Sequence, residues 1–200
     1  MDNVRIMSLG SIINSIKNKD ITAFKVEFSK QVLSQEEKQL LLIVIFDEYY
    51  DFKNYSFFKK VFDIFIESKI NLNFKIVNHW ADNLLSLVVL KAPHIQLFDY
   101  FIDKGAKLNY VSKASDKYEQ SQTCLDFSEM KFYDAVEDNE FEFFSDINPN
   151  FDTILEDKVC IDKSEYLGLL ERSEKLKDIY ETYKLINHII AIGGKRFAEL

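Results

Sequence analysis

Glycine and proline are scarce, five and two in 200 residues. Strand-rich sandwiches use many of both at their turns, so the shortage favours helices joined by short connections. Cysteine is nearly absent. Cys124 and Cys160 stand far apart, nothing in their spacing calls for a disulfide, and a chain of this length can build a core without one. Two reduced thiols in a cytoplasmic protein are the expectation. Long apolar runs are missing as well. The longest, Leu40 to Phe46, is seven residues, where a membrane span needs about 20. The segment Met1-Asp2-Asn3-Val4-Arg5 has no basic stretch leading into an apolar one, so no secretory signal is expected. Basic charge is not in excess: 25 Lys and Arg face 33 Asp and Glu, a net charge of −8. Phosphate binding wants clustered cations, so nucleic acid is disfavoured as a direct partner.

Catalytic and metal signatures are equally thin. The three histidines, His79, His94 and His188, are not spaced as helical ligand pairs, and no Cys-x-x-Cys or EF-hand loop occurs. There is no glycine-rich phosphate loop and no Gly-x-Ser-x-Gly elbow. Ser56-Phe57-Phe58-Lys59 spells Ser-x-x-Lys but sits among core phenylalanines without companion motifs. No enzyme, cofactor or metal is expected.

What is present is apolar mass and one charged segment. Hydrophobic residues make up 47% of the chain, enough for a sizeable core. Between Lys131 and Glu165 eleven acidic residues face three basic ones. That segment therefore carries the whole charge imbalance, and the rest is neutral. Aromatics interleave with its carboxylates, as in Glu140-Phe141-Glu142-Phe143-Phe144. Two readings stay open: a solvated helix whose phenylalanines pack inward, or a docking surface in which carboxylates steer a basic partner and aromatics anchor it.

Helical periodicity dominates. Asp20 can cap a helix carrying Ile21, Phe24 and Phe28, and Ser34 with Glu37 forms a capping box before the apolar run. A further helix is expected from about Ser56 to Ser68, apolar around most of its circumference. Leu84 to Leu90 fits a strand or a short helix equally well.

The chain also repeats. Glu67-Ser68-Lys69-Ile70-Asn71-Leu72-Asn73 recurs 36 residues on as Asp103-Lys104-Gly105-Ala106-Lys107-Leu108-Asn109, each copy after an apolar helix. Leu185 to Lys195, with Gly193-Gly194-Lys195, is a shorter echo. Asn83-Leu84-Leu85-Ser86 pairs with Thr123-Cys124-Leu125-Asp126 at an offset of 40. In this, Gly105-Ala106-Lys107-Leu108-Asn109 and Thr123-Cys124-Leu125-Asp126 resemble the motifs of ankyrin repeats. Lys69 in the glycine slot, and Leu84 and Cys124 in the proline slot, depart from that pattern.

The resemblance implies an all-α, ankyrin-like helix-pair solenoid spanning residues 1–200 as one domain. Its units are about 8–33, 34–73, 74–109 and 110–200, the last split by the acidic insertion at 131–165. Such solenoids bind other proteins along their loop tips and inner helices. On that basis Trp80 and Asp82 (with His79) in one unit, and Tyr110, Asp116 and Tyr118 (with Lys113) in the next, are candidate contacts. Trp80 folding onto the core is the alternative. In the insertion the candidates are Glu137, Asp138, Glu140, Glu142, Phe143 and Phe144. The implied function is non-catalytic protein binding, as an immunity protein that neutralises a basic toxin, monomeric before it meets its partner. A host-directed effector or adaptor, or an enzyme on a helical scaffold, remain the alternatives.

Overall fold

The structure, a computed structural model, describes residues 3–77, 79–111, 122–143 and 177–200. Among them are eight α-helices, two single turns of 3-10 helix and no strand longer than an isolated bridge. The fold is all-helical. The chain divides into two compact units, Met1–Phe74 and Lys75–Leu200.

The first unit contains α1 (Asn3–Lys17), α2 (Ile21–Ser29), α3 (Gln35–Glu48) and α4 (Tyr55–Glu67). The expected caps are in place. The Asp20 carboxylate accepts from the Ala23 N–H at 2.9 Å, and Ser34 and Glu37 bond reciprocally at the start of α3. Helix α2 packs on α1 and on α4. Phe28 meets Phe65 edge-on with ring centroids 5.0 Å apart, and Phe24 stacks on Phe28 at 5.6 Å. Phe46 of α3 stacks on Phe62 of α4 at 5.0 Å. Each fully buried phenylalanine contributes about 1.5–3 kcal/mol, and each ring pair about 0.5–1.5 kcal/mol beyond that.

Side chains at the start of α3 grip the turn after α4. The Gln35 amide donates to the Lys69 carbonyl at 3.0 Å and accepts from the Asn71 N–H at 2.9 Å. Lys38 donates to the Ser68 carbonyl at 2.8 Å. The turn's own peptide groups are thereby satisfied without a strand partner.

The second unit contains α5 (Leu84–Lys91), α6 (Ile95–Asp103), α7 (Cys124–Phe143) and α8 (Lys177–Ala191). The stretch that fits strand or helix equally is α5, held at its N-terminus by the Asn83 side chain, which accepts from Ser86 N–H at 3.0 Å. Pro93 follows its end and prevents continuation. Helix α7 begins with the expected box: Thr123 N–H donates to the Asp126 carboxylate at 2.8 Å, and Asp126 N–H points back to Thr123 Oγ1 at 3.3 Å. Within this unit α5 packs on α6 and α7, α7 on α8, and α6 on α8. The first part of the acidic segment simply continues α7. Phe132 is buried, its ring 5.8 Å from that of Tyr183, so for this aromatic the inward-packing reading holds.

Four helices share one ending. After α1, α4, α6 and α8 a residue with positive φ lets the next N–H reach back to a carbonyl five residues earlier. The positive-φ residues are Lys19 (53°), Lys69 (58°), Gly105 (102°) and Gly193 (92°). The closing bonds are Asp20 to Ser15, Ile70 to Phe65, Ala106 to Phe101 and Gly194 to Ile189. Sequence alone places Gly105 in this role and puts Lys69 in the same slot; Lys19 carries no such signal.

Candidate functional site

The chain from Lys75 to Asn83 folds back on itself ahead of α5. Lys75 and Asn83 form an antiparallel bridge, and the Ile76 N–H donates to the Asp82 carbonyl at 2.8 Å. Ile76 and Ala81 are buried and hold the hairpin down. The Ala81 N–H donates to His79 Nδ1 at 3.0 Å, which fixes the backbone next to Trp80. The Asp82 carboxylate accepts from the Asn83 amide at 2.8 Å, so this acid braces the start of α5.

Out of this pinned base project two apolar side chains. Trp80 is 85% exposed and Val77 is 60% exposed. Within its own unit Trp80 is therefore not a core residue. Trp80 is the most exposed aromatic among the described residues, and indole is among the side chains most enriched at interface hot spots. Val77 goes unnoticed in sequence. Its signal is the alternation with Ile76, one side chain in and the next out.

One implied surface needs correcting. The inner helix of the unit was expected to share the contact face with the loop tip. Leu84 through Val89 of α5 are all buried, so that helix offers no contact surface along this stretch.

The remaining candidates scatter. Tyr110 is half-buried in the turn after α6, its N–H donating to the Lys107 carbonyl at 3.1 Å. Glu137, Asp138, Glu140, Glu142 and Phe143 lie on the C-terminal half of α7. Lys113, Asp116, Tyr118 and Phe144 lie outside the described residues, as do Cys160 and the acidic segment beyond Phe143.

Three groups capable of chemistry among the described residues have structural partners. The Cys124 thiol is buried against the Leu108 carbonyl at 3.3 Å, and burial pushes its pKa up to about 12. A thiol held protonated is a poor nucleophile. His188 of α8 meets the Asp99 carboxylate of α6 at 2.6 Å, tying two helices together. Arg196 clasps Glu129 through two of its nitrogens at 2.8 and 2.5 Å, and these carboxylate contacts raise the guanidinium's proton affinity further. Among the described residues no three His, Cys, Asp or Glu side chains converge as a metal site. Nor is any helix among them long and apolar enough to cross a membrane. No protein-family model, no curated protein and no solved structure matches this chain.

Proposed function

We propose that this chain is a non-catalytic protein-binding module built from ankyrin-like helix pairs, and that it acts in the cytoplasm as an immunity protein against a basic toxin. The observation that carries the reading is Trp80, exposed beside Val77 on a hairpin pinned at Lys75, Ile76, Ala81 and Asn83. Pre-ordering a large aromatic lowers the entropy lost on binding, which is how a rigid loop gains affinity. The helix-pair reading draws support from packing of like on like, α5 on α7 and α6 on α8, and from the shared positive-φ endings of α4, α6 and α8. The acidic stretch continuing from α7 supplies long-range attraction for a cationic partner.

The test is affinity capture from the native host with the full chain as bait, wild type beside Trp80→Ala. The expected outcome is one basic protein retained by the wild type and released at least about tenfold faster by the variant. Co-expression of the wild type should then relieve that protein's toxicity. Capture unchanged by Trp80→Ala, or a captured protein that harms no cell, would sink the proposal.

A further inference from the structure

The first unit carries a second opening to solvent, remote in sequence from the hairpin. An open groove of about 470 Å³ runs beside the link between α2 and α3. Its apolar lining comes from Phe28, Leu33 and Ile64. Its volume lies within the range of known ligand sites, about 300–1,000 Å³. At the edge stands Val32, 100% exposed.

Two further features say what would fit. Among the described residues neither Val32 nor Leu33 has a hydrogen-bond partner for its backbone, so adjacent N–H and C=O groups stand open beside an apolar trough. A second polypeptide can use such groups while it seats a side chain in the trough, the two ingredients of strand-like peptide recognition. The charge around the groove leans positive. Lys25 has no ion-pair partner among the described residues, and Lys38 spends one of its three N–H donors on the Ser68 carbonyl. Glu67 is the single acid of the lining. A small molecule in so open a groove would stay largely wetted, whereas a peptide recovers backbone bonds along its edge.

We infer that this groove holds an extended segment of a partner protein, with an apolar side chain against Phe28, Leu33 and Ile64 and a carboxylate facing Lys25 and Lys38. The inference rests on the protein-binding reading and gives that partner a second point of attachment. Net charge and local charge are separate matters: a basic partner can still present one acidic, apolar strand here.

The probe is a pair of synthetic peptides, acetyl-Glu-Leu-Glu-Phe-Glu-amide and its lysine counterpart, titrated into the isotope-labelled full chain by nuclear magnetic resonance. Saturable shifts should appear at Val32, Leu33 and their neighbours, with the acidic peptide bound at least about fivefold more tightly. Val32→Asp and Lys25→Glu, both at exposed positions, should each weaken it by about fivefold or more while the thermal melt is unchanged. Absence of saturable shifts up to about 5 mM peptide would overturn the inference, since even weak docking saturates near there. So would equal binding of the lysine peptide, or shifts confined to other regions. The titration uses no natural partner. Its failure removes the groove alone, and the Trp80 reading stands or falls separately on the capture experiment.

Discussion

The ammonium of Lys131, on α7, closes the C-terminal end of α5 by donating to the Val89 carbonyl at 2.7 Å and the Leu90 carbonyl at 3.1 Å. Helix ends leave their last carbonyls without intrahelical partners, and a cation there also meets the negative end of the dipole. Replacing Lys131 with Met keeps the stem and removes the donors. The expected loss is about 1.5–3 kcal/mol, the range for a hydrogen bond to a charged group. Urea unfolding of the variant checks it. An unchanged midpoint would mean that water replaces the ammonium at no cost.

The two lysines with positive φ offer an opposite test. A left-handed conformation costs an ordinary residue about 1–2 kcal/mol, of which glycine's greater freedom when unfolded takes back part. Lys69→Gly should therefore raise stability by up to about 1 kcal/mol, and Gly105→Ala should lower it by a similar amount. At Gly194 the obstacle is steric. A Cβ would come within 2.3 Å of Ile189 Cγ2 and 2.7 Å of its carbonyl oxygen, so Gly194→Ala should cost about 1–3 kcal/mol. Thermal melts that rank these variants in any other order would contradict the dihedral account.

Tyr50 presents a buried hydroxyl with no hydrogen-bond partner among the described residues. Leaving such a group unpaired costs about 1–3 kcal/mol, so Tyr50→Phe should be neutral or stabilising. Burial, followed by the nearby Tyr55 and Asp51 charges, raises its phenol well above the usual range. The Cys124 thiol is likewise pushed up to about 12 by burial. Below about pH 8.5 both groups are protonated in the folded and unfolded chains, and neither affects the balance. Above it the unfolded chain releases protons that the folded chain keeps, so stability must fall as pH rises towards 12. A pH series of urea melts should show this decline, reduced in Tyr50→Phe. In a Cys160→Ser background, the Cys124 thiol should resist a disulfide reagent at pH 8 in the folded chain and react once the chain is unfolded.

At the proposed interface, apolar anchors and charges should separate kinetically. Trp80→Ala should raise the dissociation rate and leave the melting temperature alone, because an 85% exposed side chain contributes little to the core. Reversing Glu137, Asp138, Glu140 and Glu142 to Lys should slow association and flatten its salt dependence. Stopped-flow kinetics at two salt concentrations distinguish the two effects. A quadruple variant that associates at the wild-type rate in low salt would take the end of α7 out of the encounter.

Sequence revealed most where the determinants are local. Asp20, Ser34 with Glu37, Asn83 and Thr123 with Asp126 all cap as read, because a cap involves residues only three positions apart. Helix α5 was ambiguous for a physical reason. Six of its residues in a row are buried, and a segment covered on all sides shows neither a period of two nor of 3.6. Lys19 lacks the turn chemistry that would flag positive φ. Lys131 is counted with the acidic stretch, but its work is on α5, 41 and 42 residues away in sequence. The exposure of Val32 and Val77 is a tertiary outcome, and composition cannot distinguish an exposed valine from a core one.

The Asn109 amide spans the turns after α6 and α8, donating to the Gly193 carbonyl at 3.3 Å and accepting from the Lys195 N–H at 2.8 Å. Thr123 Oγ1 joins it by donating to the Lys195 carbonyl at 2.8 Å. These bonds fasten α8 to the rest of its unit independently of the chain that connects it to α7. The attachment of α8 thus rests on bonds from Asn109 and Thr123, residues that precede α7 or stand at its start. A truncation that removed the turn after α8 would therefore loosen α6 and the start of α7 together with α8.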